Sequence, residues 1–404
     1  MLTEAREVPK SLWPKLCLAL FMLSAVMAGS AQTTRYSLNF TLSKKNFADT
    51  IQIDYVQGQV IVPVEAGGRQ LRFLLDTGSG QAVVFPDTPL ADSPSAGTIR
   101  SHDATGHVRK VRVVALPPLT IGPLTLTGCR ATLQQRVVRG SRIDGILGFD
   151  LVNKGLCMKI DTRHKRLILT DRKGFFDREQ GVDSRYRLDY HVPYIELSPF
   201  GKYREYALFD TGSRKLYVMN RQSFERGWKK WRTEAEAQVE GRSVGRHALG
   251  HQGTERKGEV VFLCLQRLLM GDFTFSQVHT LTTQGGSHLG AMVLDYGAIV
   301  FNPHRHRMRF QPYGNRLKAT VDNCQTDIAF VPEDGRPVVG LVWECGEPFR
   351  LGFREGDVIE AIDGREVPGM AVFARWGFEK GRAYTFTVRD KQGRTKNIPW
   401  VRLK

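Results

Sequence analysis

The chain has 404 residues and a formal net charge of +17, with 41% hydrophobic and 25% charged residues. That balance excludes a disordered chain, and the length exceeds one ordinary domain and suggests two or three, each burying its own core. Lys and Arg are spread along the length and form no compact run interleaved with aromatics, so the charge is read as a solvated basic surface with no nucleic-acid partner.

Arg6, Lys10 and Lys15 precede an apolar run from Leu16 to Ala28 and then Gly29-Ser30-Ala31. A charged start, an apolar centre and small residues predict a secretory signal peptide over residues 1–31. Its apolar run is short for a bilayer, so no transmembrane segment is expected after cleavage. The product would be periplasmic or secreted. The segment carries three Lys/Arg and two Asp/Glu, which leaves +16 on the remainder.

From about residue 50 the chain reads as strands. Val60-Ile61-Val62-Pro63-Val64, a Gly67-Gly68 turn and Leu71 to Leu75 predict a hairpin that runs into Asp76-Thr77-Gly78-Ser79. A Gly-containing stretch at Arg100 to Val111 follows, then Leu119-Thr120-Ile121-Gly122 and Ile146-Leu147-Gly148. Gly155 to Asp161 and Arg166 to Leu169 close the unit. The same blocks recur from about residue 188. Tyr194 to Leu197, a turn at Pro199-Phe200-Gly201 and Tyr206 to Phe209 lead into a second Asp210-Thr211-Gly212-Ser213. A polar, Gly-rich stretch from Gly245 to Gly258 precedes Leu268-Leu269-Met270-Gly271 and His288-Leu289-Gly290. Gly297 to Asn302 and Arg307 to Phe310 end the copy. After Asn315 the repeat stops. A third segment carries Pro337 to Val342, then Phe349 to Ile359 and Ala361-Ile362-Asp363-Gly364. The chain therefore divides into 1–31, a first unit 32–175, a second unit 176–316 and a third segment 317–404.

Asp and Gly are ordinary turn residues, so one Asp-Thr-Gly would carry little weight. Two copies, each behind an apolar strand, carry much more. Like units in one chain tend to pack about a pseudo-two-fold axis, and equivalent residues near such an axis meet. Two carboxylates brought together there would share one proton and titrate as a unit. Such a pair can take a proton from water and give one to a carbonyl, with no metal or cofactor.

The two Asp-Thr-Gly-Ser turns, with Ile143-Asp144-Gly145-Ile146-Leu147-Gly148, resemble the aspartic proteases over roughly residues 50–313. The unit length is closer to tandem retropepsin-like proteins than to pepsin. The resemblance implies a mainly β fold, with two homologous barrel-like lobes about a pseudo-two-fold axis. It implies Asp76 and Asp210 as the catalytic pair. Thr77 and Thr211 would buttress the loops, Gly78 and Gly212 would permit the turns, and Ser79 and Ser213 would bond the outer carboxylate oxygens. Ile146, Leu147 and Gly148, with Leu289 and Gly290, would support the loops; His288 replaces an apolar residue of that pattern. The stretches 100–111 and 245–258 would be flaps, neither bearing a Tyr. Substrates would be peptides or proteins, drawn by the basic charge if acidic. The alternative is an inactive protease-like envelope protein that binds peptides or partners.

Residues 318–404 resemble a bacterial PDZ domain, a small α+β unit, in their order of strand, short helix and Gly-Asp-x-Ile strand. That resemblance implies a peptide ligand on a sheet edge. Five cysteines follow residue 31. Cys129, Cys157 and Cys264 read as buried free thiols in apolar strands, and Cys324 and Cys345 as free or bridged. No set of residues has the spacing of a zinc site. His247 and His251 have helical metal-pair spacing, but the glycines around them predict an exposed loop. His304 and His306 read as part of a solvated basic turn.

Overall fold

A computed structural model describes residues 34–137, 142–314, 316–379 and 381–401. The expected signal peptide and its cleavage site lie outside the described residues. The fold is mainly β, in two large sheets, a six-stranded C-terminal sheet and two small ones.

Each half uses one device to deliver its Asp-Thr-Gly-Ser loop. In the first, strand Gln59–Ala66 turns through Gly67 and Gly68, both at positive φ, into strand Arg69–Leu75. That turn suits glycine because its twist matches the flanking strands. Strand Gly145–Leu147 then lies parallel to Arg69–Leu75, with Ile146 opposite Leu74 and Leu147 opposite Leu75. All three of its residues are buried, as expected of a strand covered on both faces. In the second half, strand Val192–Leu197 pairs antiparallel with Glu205–Asp210. His288–Gly290 runs parallel to Glu205–Asp210, with Leu289 opposite Phe209.

The halves are joined by an antiparallel platform with three strands from each. Its order is Ala48–Gln52, Arg166–Thr170, Cys157–Asp161, Gly297–Asn302, Arg307–Pro312 and Val182–Asp189. At its centre Met158 faces Phe301, Lys159 faces Val300 and Ile160 faces Ile299. The repeated closing blocks thus pair with each other. The hydrophobic core is correspondingly continuous: Phe149 of the first half meets Phe301 of the second at 5.0 Å between rings, and Phe209 meets Phe301 at 5.4 Å. The expectation of separate cores is corrected here. Each repeat leaves an apolar strand edge that only its counterpart covers.

The C-terminal sheet runs Ile328–Glu333, Arg336–Val342, Val358–Ile362, Ala383–Arg389 and Thr395–Val401, with Arg365–Glu366 beside Val358–Ile362. A short helix, Glu347–Leu351, precedes Val358–Ile362 and is ended by Gly352 at φ +111°. The sheet has its own core around Phe353, Ile359 and Phe386. It rests on the second half through Leu341, Val260, Phe262 and Leu281. The Arg246 N–H donates to the Gly340 carbonyl at 2.8 Å.

Candidate active site

The loops after the two delivering strands meet between the halves. Thr77 and Thr211 have no solvent exposure and exchange hydrogen bonds reciprocally. The Thr77 N–H donates to the Thr211 hydroxyl at 3.1 Å, and the Thr211 N–H to the Thr77 hydroxyl at 3.1 Å. Each hydroxyl then donates across the interface, Thr77 to the Phe209 carbonyl at 2.6 Å and Thr211 to the Leu75 carbonyl at 2.7 Å. Three buried polar groups of each loop, the threonine N–H, its hydroxyl and one carbonyl, are bonded by the other loop, so neither can shift without breaking these bonds.

This lattice sets the carboxylates. The Gly78 N–H donates to Asp76 Oδ1 at 2.9 Å, and the Gly212 N–H to Asp210 Oδ1 at 2.8 Å. Each glycine also lies against the opposite acid. A methyl group at Gly78 would stand 2.7 Å from Asp210 Oδ1, and one at Gly212 would stand 2.5 Å from Asp76 Oδ2. Only a residue without Cβ fits at either place. Both carboxylates therefore converge on one pair of glycines at the pseudo-two-fold axis.

The supporting strands act through the backbone. The Asp76 N–H donates to the Leu147 carbonyl at 2.9 Å, and the Phe149 N–H to the Ser79 carbonyl at 2.7 Å. In the second half the Ala291 N–H donates to the Ser213 carbonyl at 2.7 Å. Gly148 is packed against the Ser79 and Gln81 carbonyls, and Gly290 against those of Ser213 and Lys215, with no room for a side chain. Ser79 differs from the sequence expectation. Its hydroxyl donates to the Gln81 carbonyl at 2.7 Å, so its one proton stiffens its own turn.

The two stretches expected as flaps are hairpins tied to each other. Strands Ser95–His102 and Val108–Ala115 form the first, and Val239–Gly245 and Gly258–Leu265 the second, which has a small inner hairpin at Leu249–Gly250 and Gly253–Thr254. At the first tip, Asp103 Oδ1 accepts from the Thr105 N–H and hydroxyl and the His107 N–H. Asp103 Oδ2 accepts from the Gln252 N–H of the second hairpin at 3.0 Å. The Gln252 amide donates to the Ser101 carbonyl at 2.9 Å.

Several side chains around the loops had no signal in the sequence. Tyr190 and His191 form a hairpin turn at φ 47° and 67°, where a bulky residue such as Tyr is uncommon. Tyr190 stacks on His102 of the first hairpin at 4.5 Å, and its carbonyl lies close to Gly80. The matching turn of the first half is Gln57-Gly58, beside Arg214, whose Nη2 donates to Gln59 Oε1 at 2.7 Å. Recognising Gln57-Gly58 as a repeated turn would have pointed to Tyr190.

The expected exposed loop around His247 is a loop but is not exposed. The His247 side chain is 5% exposed and that of Glu255 is 1% exposed. Glu255 accepts from the His247 and Ala248 N–H groups, the Thr283 hydroxyl and the Gln284 N–H. Burial pushes the His247 imidazole below its ordinary range. Glu255 is held below the usual carboxylate range: burial opposes ionisation, but His247 and these hydrogen bonds outweigh it. Burial likewise pushes Lys215, in the Asp210 loop, down to about 8, with Glu255 offsetting part of it. His304 and His306 are exposed, as expected of a solvated turn. Cys129 and Cys157 are buried and free, and Cys324 and Cys345 are exposed and free. Cys264 departs from its expectation, being only partly buried.

With this geometry in hand, residues 62–151 match a family model described as aspartyl protease. That stretch spans the first Asp-Thr-Gly-Ser loop and its supporting strand, and in this respect the protein is protease-like. Solved structures similar to the chain include an aspartic proteinase from Irpex lacteus, 13% identical with a TM-score of 0.43, covering 66% of this chain and 97% of that one. Basic 7S globulin from soybean is 12% identical with a TM-score of 0.38, covering 67% and 95%. Conglutin gamma, a basic 7S globulin from lupine seeds, is 15% identical with a TM-score of 0.40, covering 66% and 95%. No curated protein matches the chain.

Proposed function

We propose that the protein is an exported endopeptidase in which Asp76 and Asp210 share one proton and activate a water molecule. The observation that carries this reading is the placement of Gly78 and Gly212, each bonded to its own acid and pressed against the other's carboxylate. The ionised member takes a proton from water as the oxygen attacks the scissile carbonyl carbon, and the other gives its proton to the carbonyl oxygen. In the tetrahedral product, one hydroxyl gives its proton to the ionised carboxylate, the protonated acid gives its proton to the amide nitrogen, and the C–N bond breaks. No covalent intermediate arises. The Thr77–Thr211 lattice holds both acids still during these transfers, so little reorganisation accompanies them.

The substrate would lie extended between the halves under the two joined hairpins, held through its main chain. Their tip contacts through Asp103 and Gln252 would open to admit it. Cleavage of residues 1–31 would place the enzyme in a periplasm or outside the cell. The C-terminal sheet would serve as a PDZ-like unit taking a peptide strand on its edge. The reading is tested by peptide-library cleavage with the native chain and with Asp76→Asn and Asp210→Asn, using a statine-type inhibitor as control. Loss of cutting in both variants is expected. Binding without cutting in every form would replace the enzyme by a peptide-holding envelope protein.

A further inference from the structure

On the second half, far along the chain from either Asp-Thr-Gly-Ser loop, three strands bring a thiol, an imidazole and a carboxylate together. Cys264 and His279 are register partners on the antiparallel strands Gly258–Leu265 and Val278–Thr283. Register partners place their side chains on one face of the sheet. Glu240 joins them from strand Val239–Gly245, at a bulge where Val239 faces Leu263 but Gly241 faces Phe262. A bulge adds one residue and re-aims its side chain. One donor atom from each of the three residues lies within 4.8 Å of the other two.

We propose that Glu240, Cys264 and His279 form a site for a borderline transition-metal dication, with Zn2+ the leading occupant. Glu240 Oε2 stands 3.0 Å from His279 Nδ1, and His279 Nε2 stands 4.0 Å from Cys264 Sγ. A carboxylate on one ring nitrogen holds the tautomer whose other nitrogen offers its lone pair, the usual outer contact of a metal-bound imidazole. Tetrahedral zinc bonded to sulfur and nitrogen separates those atoms by roughly 3.6 Å. Closing the gap from 4.0 Å takes a small side-chain rotation. Gln277 Oε1, at 3.6 Å from the sulfur, lies on the same rim, and water can complete the shell. Thiolate and imidazole select against Ca2+ and Mg2+, which take oxygen ligands.

The site is held from outside. The Gln325 amide donates to Glu240 Oε2 at 2.8 Å and to the Leu263 and Thr280 carbonyls. Asn323 brackets the His279 backbone, accepting from its N–H at 3.0 Å and donating to its carbonyl at 2.7 Å. Both belong to the segment leading into the C-terminal sheet, so an ion here would fasten that segment to the second half. A nucleophilic thiol is the competing use of such a cluster, and the metal titration below separates the two. On binding a dication the thiol would release its proton to solvent as the sulfur binds the metal.

The test uses the tag-free, reduced full chain, titrated with Co2+ and then Zn2+. One equivalent of Co2+ should give the intense near-ultraviolet band of cobalt–thiolate charge transfer, and Zn2+ should abolish it. Cys264→Ser should lose the band, while Cys324→Ser keeps it. Glu240→Gln should weaken Zn2+ binding by about ten- to a hundred-fold in competition titration, as expected for loss of a carboxylate that orients a ligand. No band from the folded native chain, a band that survives Cys264→Ser, or one lost in Cys324→Ser would overturn the proposal. Circular dichroism of each variant separates lost binding from lost folding, and native-chain titration decides the matter even if Cys264→Ser does not fold.

Discussion

The two Asp-Thr-Gly-Ser loops have nearly the same backbone but very different backing. Corresponding hydrogen bonds agree within 0.1 Å: Gly to Asp at 2.9 and 2.8 Å, Thr to Thr at 3.1 Å twice, and strand to Ser carbonyl at 2.7 Å twice. Behind the first loop lie Gly80, Gln81, Ile146 and the buried carboxyl of Asp150. At the matching places of the second are Arg214, Lys215, His288 and Met292, with His247 and Glu255 beyond. The repeat has kept what the meeting point of the halves demands. Charge varies away from that meeting point, even where a side chain crosses between the halves, as Arg214 does to Gln59. The symmetric part should therefore respond symmetrically to substitution, and the surroundings should not.

The largest symmetric effect falls on the acids. Asp76→Asn and Asp210→Asn should each lower peptide cleavage by about 10²- to 10⁴-fold, the range for loss of a proton-transferring group. Similar losses are expected in initial-rate assays. If one variant keeps near-native turnover, the acids do not work as a pair. Next come the threonines. Thr77→Val and Thr211→Val each remove a hydroxyl that donates to a buried carbonyl and accepts from a buried amide. Leaving both groups bare should cost about 4 kcal/mol, read from urea unfolding. The two losses should match, and the double variant should fall short of their sum, because both hydroxyls belong to one network.

The repeat was legible because its elements are local. Apolar strand, glycine turn and Asp-Thr-Gly-Ser recur in register, and Gly155 to Asp161 aligns with Gly297 to Asn302. What joins the halves was less legible. That those two closing strands pair with each other, Ile160 against Ile299, is a choice of partner that an apolar strand does not encode alone. The Glu240, Cys264 and His279 cluster was hidden for a related reason. It depends on a cross-strand register and a bulge, neither of which has a spacing signature. Tyr190 was hidden by residue type, since a left-handed turn predicts Gly or Asn. The surroundings of Lys215 have no local signal because they come from distant chain; its Nζ donates to Thr326, where the tether to the C-terminal sheet passes.

Asp150 sharpens the comparison from the first half. Burial pushes its carboxyl up to about 7, and backbone groups of Ala82, Asp150 and Leu151 offset only part of that. In the unfolded chain the group titrates near its ordinary value, roughly 3.9. Between those values the folded state holds the extra proton, so stability falls as pH rises through this window. Asp150→Asn cannot ionise and keeps an acceptor oxygen. It should be more stable than the native chain at pH 8, by on the order of 4 kcal/mol, and no more stable near pH 3.5. Denaturant unfolding at the two pH values checks this, and a gain independent of pH would refute it.

The second half should show the opposite sign and a smaller, local response. The His247 ring, with Nε2 at 3.0 Å from the Thr282 carbonyl, is faced by Glu255, Lys215 and His288. Burial depresses its folded value, so in mild acid the unfolded loop binds a proton that the folded loop refuses. Its contribution is complete above about pH 6.5 and drains as pH falls toward the depressed value. Glu255, also depressed, adds to the loss further into acid. Amide exchange of residues 246–257, corrected for its intrinsic pH dependence, should therefore be faster at pH 5 than at pH 7. The hairpin around Asp103 should respond less, since only its tip touches this loop. His247→Gln, whose amide can still donate to Thr282, should remove the mild-acid part and leave the deeper part set by Glu255. Equal loosening of both hairpins in acid would mean that the loops share their electrostatics as well as their backbone, and the asymmetry drawn here would fail.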